Sequence, residues 1–342
     1  MQRSPVGASP RVASPPESFS FRTPLLRSHG GTRLLVAAAA FLATAACIEP
    51  GCAHGFAGKR FFPATLATDD PFVADELSLP TVSRRRAVAD DGSSSVDTAL
   101  SIDFTKRITS DFGLGFGATW LRLEPKGGVR QQGFDNFALN AKYQFFKSEA
   151  HETLLSIGVD ADIGGSGARR VSAESFSTIT PAVFFGKGFG DLPEDLRFLR
   201  PFALTGSVGV GMPTRASSSS VDDDGNPVIE PHPHVLQLGF ALEYSVPYLQ
   251  AFVKDVDLPR SLQRAIPIVE VALEKPLDRG KGPTTGTINP GILFPGRTMQ
   301  FGIEAVVPVN RRTGGGTGVL LQLHFFLDDL FPKSLGRPLV GP

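Results

Sequence analysis

Phe112-Gly-Leu-Gly-Phe-Gly-Ala-Thr-Trp120 places an apolar side chain at every even position and Gly or Thr at every odd one. A period of two is the signature of an extended strand with one apolar face and one polar face. Three glycines in six residues also count against a helix, where each costs close to 1 kcal/mol relative to Ala. The same alternation extends in both directions. Upstream, Val96, Thr98, Leu100, Ile102 and Phe104 alternate with Asp97, Ala99, Ser101 and Asp103. Downstream, Phe137 to Phe145 and Leu155 to Ile163 repeat it, as do 236–244, 269–273, 301–307 and 321–327. Less regular runs at 176–186, 199–211 and 286–294, and a weaker one near Glu76–Arg86, bring the expected strands to twelve.

The faces decide the kind of sheet. A soluble barrel turns its apolar face inward and its charges outward. Here the polar face is rich in Gly, Ala, Ser and Asn, and the apolar face carries almost no charge. A Lys or Arg facing lipid costs roughly 2–4 kcal/mol at mid-depth, so a clean apolar face is what a bilayer selects. The connections alternate between short (109–111, 148–152, 295–297) and long (124–134, 164–175, 212–234), the pattern of outer-membrane barrels. The sequence therefore predicts an all-β fold, an antiparallel 12-stranded transmembrane β-barrel with a short periplasmic helical segment. With Tyr at 3, Trp at 1 and Phe at 27, Phe has to supply the interfacial aromatics.

Four regions follow: an extension plus signal peptide (1–57), a periplasmic leader or plug (58–75), the barrel (76–328) and a periplasmic tail (329–342). The signal rests on Arg27 and Arg33 before the apolar run Leu34–Ala46, which is too short to span a bilayer. Small-residue cleavage patterns at Ala53–Gly55 and Gly55–Ala57 would remove Cys47 and Cys52 and leave a thiol-free chain. These features predict export through the inner membrane to the outer membrane of a Gram-negative cell. The leader mixes Phe61, Phe62 and Phe72 with Asp69, Asp70, Asp75 and Glu76, and is expected to rest against the barrel mouth or to enter the lumen. Residues 248–265 read as a pair of short amphipathic helices interrupted at Pro259.

Balanced charge, with 34 basic and 34 acidic residues, argues against a nucleic-acid partner. The expected partners are outer-membrane lipid and a small-molecule solute, and the sequence is silent on oligomeric state. Lumen-facing candidates are Asp97, Asp103, Lys142, Asp160, Asp162, Glu243, Glu270, Glu274, Glu304 and His324. An acidic interior favours cations, while carboxylates paired with Lys142 would only stiffen the wall. No metal site, cofactor or catalytic set is expected. His232 and His234 lack a third ligand, and the acids of the leader do not follow the spacing of a calcium loop. A hydrolase would have to use His324 with a wall serine such as Ser207 or Ser245, without a G-x-S-x-G motif.

Over 58–338 the chain resembles bacterial outer-membrane proteins of the phenol-degradation MetA-pathway and transporter-like group. The likeness is carried by the signal, the strand order and Gly/Phe strands such as Phe112-Gly-Leu-Gly-Phe-Gly. It implies a passive channel or transporter-like barrel for small, often apolar compounds. The alternatives are a closed structural or interaction barrel and an outer-membrane hydrolase. The leader and the extension Asp328-Asp-Leu-Phe-Pro332 depart from the simplest members of that group.

Overall fold

The computed structural model describes residues 55–88, 93–221, 225–279 and 282–341. The signal segment, both cysteines and the acidic run 222–224 lie outside the described residues. The wall has twelve strands. They are β1 (Glu76–Val88), β2 (Ser94–Arg107), β3 (Phe112–Pro125), β4 (Phe137–Ser148), β5 (Thr153–Ile163) and β6 (Thr178–Gly188). The second half comprises β7 (Phe202–Pro213), β8 (Val235–Tyr244), β9 (Ile266–Pro276), β10 (Thr285–Pro295), β11 (Met299–Pro308) and β12 (Gly318–Phe326). Each pairs antiparallel with its neighbours, and β12 pairs with β1 to close the barrel. Closure gives each of the twelve wall strands a neighbour on both sides, which a lipid-exposed sheet requires. The seam carries one register shift, between Ser78 and Thr81, where Pro80 sits. Proline in a wall strand is tolerated at such a bulge because it has no N–H to give the ladder.

The two faces are sorted as the alternation predicts. Leu100, Phe116, Leu139, Ile157, Val183 and Val269 point outward and are each 40–50 % exposed, while Glu270, Glu304 and Gln300 on the inner face are fully covered. Apolar outside and polar inside is the reverse of a water-soluble barrel. The mouth at which β1 begins and β12 ends is termed the lower mouth. Around it the outward aromatics form a belt that includes Phe112, Tyr143, Phe185, Tyr244, Phe294 and Phe325. Phe202 and Tyr244 meet edge-on at 4.7 Å within it.

Three expectations need correction. The segment after β8 forms one helix, α1 (Val246–Phe252), instead of two. Ser245 caps it by accepting from the Tyr248 N–H at 3.2 Å, and Pro247 occupies its first turn. Beyond Phe252 the chain makes only turns, because Pro259 supplies no donor and Arg260–Arg264 is too short to nucleate a second helix. The region 212–234 is not all loop: Ser217–Val221 pairs with Pro227–Pro231 in an exposed hairpin. The loop expected at 124–134 ends in strand, since Gln131–Phe134 pairs with the top of β3 before the chain bends into β4.

Candidate functional site

The lumen is occupied by the protein's own leader. A small hairpin, Phe56–Ala57 with Arg60–Phe61, sits at the lower mouth. The chain then enters the barrel, turns at 65–70, and returns to the lower mouth at Asp75. The turn is closed internally: the Thr65 N–H donates to Asp70 Oδ1 at 3.0 Å, and the Thr65 hydroxyl donates to the Thr68 carbonyl at 2.6 Å. Glu270 on β9 grips its tip, accepting from the Leu66 N–H at 2.7 Å, the Ala67 N–H at 2.9 Å and the Thr68 hydroxyl at 2.8 Å. Two backbone donors that would otherwise be orphaned inside the barrel are thereby satisfied. Gln300 on β11 donates to the Ala64 carbonyl at 2.6 Å, Lys142 on β4 to the Asp70 carbonyl at 2.6 Å, and Ser156 on β5 to the Pro71 carbonyl.

Apolar contacts complement this polar grip. Leu66 is buried among Ala241, Ile266, Ile268, Leu293, Val306 and Leu320, and Phe62 and Phe72 pack with Leu154 and Ala203. The wall makes room with glycine. A Cβ at Gly302 would lie 2.6 Å from Leu66 Cδ1, one at Gly113 2.8 Å from Val73 Cγ1, and one at Gly186 2.9 Å from Pro71 Cγ. All three distances are below van der Waals contact, so the inward glycines of β11, β3 and β6 are shaped to the leader.

Two charged clusters hold the leader where it enters and leaves. At the entry, Arg60 is fully buried; its guanidinium donates to Glu152 Oε2 at 3.3 Å and to the carbonyls of Arg200, Pro201 and Phe202. It stacks 4.1 Å over the Tyr248 ring, and the Tyr248 hydroxyl donates to Glu152 Oε1 at 2.9 Å. Burial, and then the bond to Glu152, push the Tyr248 hydroxyl up to about 12, so it remains a donor. A cavity of about 410 Å³ beside this cluster is lined by Lys59, Glu149, Arg200 and Phe252. At the exit, Asp75 accepts from Lys106 Nζ at 2.6 Å and from Arg107 Nε at 2.9 Å, while Arg107 Nη2 lies 3.0 Å from Asp328 Oδ2. Asp328 belongs to a short helix, α2 (Leu327–Leu330), directly after β12. The exit latch therefore bridges β2 and both strands of the seam.

The ten residues expected in the lumen fall into two tiers. Glu270 and Lys142 bind the leader directly. Glu304 has the Glu270 carboxylate and the Asn289 amide as polar neighbours, and Glu243 faces Arg60 and Asp70. Asp103 pairs in register with Ser78, and Asp160 faces Asp69 and Lys142. His324 contacts Ser78 Oγ through Nδ1 at 2.9 Å and Glu76 through Nε2 at 3.5 Å. Ser207 and Ser245 are elsewhere, the latter spent as the helix cap, so the serine at His324 is one the alternation pattern did not single out. Toward the upper mouth, Asp97 lies 4.0 Å from Arg85, and Glu274 faces Arg85 and Asp162. That mouth is partly covered by the β5–β6 loop, whose Val171 packs on Ala99 and Leu121. Among the described residues no group of three His, Cys, Asp or Glu is placed to hold a metal ion.

No protein-family model matches this chain, and no curated protein does. Among solved structures it is similar to the COG4313 outer membrane channel from Pseudomonas putida F1, at 11 % identity and a TM-score of 0.50, covering 81 % of this chain and 98 % of that one. The fold is that of an outer-membrane β-barrel. Weaker similarities join this barrel to the beta domain of the Bordetella autotransporter BrkA (9 % identity, TM-score 0.42, 74 % and 99 % covered). LpxR from Salmonella typhimurium is matched at 10 % identity, with a TM-score of 0.41 and 73 % and 99 % covered.

Proposed function

We propose that this barrel resides in the outer membrane as a channel for small solutes, held closed by its own leader. The observation that supports this most is the manner in which the leader is bound. It enters and leaves by the same mouth, and inside the lumen it is held by about half a dozen polar contacts, chief among them the Glu270 grip. A segment attached in that way can withdraw without breaking the wall ladder. The space it vacates is lined by Glu270, Glu304, Asp160 and Lys142, and net acidic character there favours cations and neutral polar solutes over anions. Twelve strands enclose a lumen between the filled eight-stranded barrel and the aqueous sixteen-stranded porin, the right scale for small molecules. The resemblance to phenol-degradation-type barrels adds small, often apolar compounds to the solutes worth testing.

Planar-bilayer recording tests the reading. The intact protein should conduct little, and a variant lacking residues 62–73, alone or with the β5–β6 loop shortened, should open a stable conductance. Both proteins must first show heat-modifiable gel migration, which reports a folded barrel. A folded deletion variant with no conductance and no solute uptake would favour a closed structural barrel instead.

The Ser78–His324–Glu76 contact motivates a second reading, a hydrolase whose serine is activated by His324. Labelling by a fluorophosphonate that disappears in Ser78→Ala would support it. A wild-type protein that takes no label would dismiss it.

A further inference from the structure

The outward face of the wall carries few charges, and their placement is uneven. Ser83 is turned inward and fully covered, so its neighbour Arg84 points outward, and Arg86 does the same one repeat higher. In register, Arg84 lies beside Thr98 of β2, and Thr98 beside Arg122 of β3. Two guanidinium side chains thus flank one threonine across three strands, about 10 Å apart at their backbones given the spacing between strands. Thr98 is only 9 % exposed although it faces outward. Glu124, the single acid of this patch, accepts from Arg122 at 2.6 Å and has Arg130 at 4.0 Å. Four arginines around one carboxylate leave a clear excess of positive charge. At the same height on β4–β8 the outward residues are Phe137, Ile163, Ile179, Met212 and Leu236, which are apolar. Trp120, the only tryptophan of the chain, points outward two residues below Arg122, beside Leu100.

We propose that the upper rim of β1–β3 binds the phosphorylated head group of an outer-leaflet glycolipid. The inference rests on the reading that the apolar belt lies in the outer membrane with its upper mouth outward. Arg84 and Arg122 bracket the phosphate, Arg86 meets it from above, and Trp120 and Leu100 offer an apolar track for an acyl chain. Arginine suits the task because its planar fork of donors matches phosphate oxygens bidentately. The apolar track below the charges is what selects a lipid over free phosphate.

The experiment titrates the detergent-purified full chain with bis-phosphorylated lipid A and follows bound lipid by native mass spectrometry. Phosphatidylcholine and inorganic phosphate serve as separate arms. Wild type should retain lipid A, and retention should weaken as salt is raised. The triple variant R84Q/R86Q/R122Q should lose affinity roughly a hundredfold, from about a fivefold effect per basic residue near a membrane surface. The variant K147Q/K333Q, altered near the lower mouth, should bind as wild type. Equal binding by the triple variant, no binding by wild type, or full displacement by inorganic phosphate would each overturn the proposal. Heat-modifiable migration shows that each variant is folded, and outer-membrane fractionation tests the underlying placement separately. A protein that fractionates correctly and ignores lipid A defeats this inference alone.

Discussion

Glu270 of the wall and Leu66 of the leader are joined at 2.7 Å by a hydrogen bond from the Leu66 N–H to a carboxylate with no exposed surface. One side chain, four residues into β9, fixes the deepest part of a segment more than two hundred positions upstream.

Replacing that acceptor should release the tip. Glu270→Ala leaves the Leu66 and Ala67 N–H groups without their partner, at a cost of about 2–3 kcal/mol. Hydrogen exchange across 62–75 should accelerate by one to two orders of magnitude while the strand amides remain protected. Unchanged exchange in the leader would mean that the grip contributes nothing.

The glycine under Leu66 gives a paired test. Gly302→Ala puts a Cβ 2.6 Å from Leu66 Cδ1 and should displace the leader locally. Leu66→Ala removes the obstruction and, alone, costs about 2–3 kcal/mol of buried apolar contact. Together the two substitutions should be less harmful than their sum, with a coupling of about 1 kcal/mol, as expected for residues in contact. Thermal loss of leader protection measures each corner of the cycle.

At the seam, Arg107→Met leaves Asp75 and Asp328 close together with only Lys106 to compensate. Removing one partner from a buried charge cluster costs about 3–5 kcal/mol. The temperature at which the gel band shifts from folded to unfolded mobility should fall, and Asp328→Asn in the same background should restore part of the loss. No shift in that temperature would show the latch to be dispensable.

Leader docking should depend on pH through Asp70. Burial, and then the charge of Glu76, raise its carboxyl to about 8 against the opposing pull of Lys142. In a withdrawn leader the group returns to its ordinary value of 3.8. The docked form therefore binds the extra proton between those limits, so docking weakens as pH rises from about 4 to 8 and levels off above. Exchange rates in 62–75 at pH 5 and pH 8 measure the slope. Asp70→Asn should flatten it, and an equal slope in that variant would assign the effect to another group.

The wall was legible because its signal is local. Alternation at 96–104, 112–120 and 236–244 is written in consecutive residues and maps directly onto strands with one lipid face. The inward placement of Glu270, Glu304 and His324 followed from the same parity. The leader's depth was not legible, because no local pattern in Phe62–Asp75 states that it sits against Gly302, Gly113 and Gly186. In the sequence those glycines read as ordinary features of strand composition. Ser78 escaped notice for a related reason: its partner His324 lies 246 positions away and meets it only when the seam closes. The hairpin at 217–231 was hidden by a serine run that reads as loop.

The Arg60 cluster acquires a mechanical meaning once the path of the chain is considered. Tension applied to the leader from below reaches the buried Arg60 guanidinium at the lower mouth before it reaches any contact deeper in the lumen. The Arg60–Glu152–Tyr248 cluster thus acts as the first bolt in series. Once it gives, the contacts of the leader load one after another from Ala64 to Asp70, so a pull from below meets them in series.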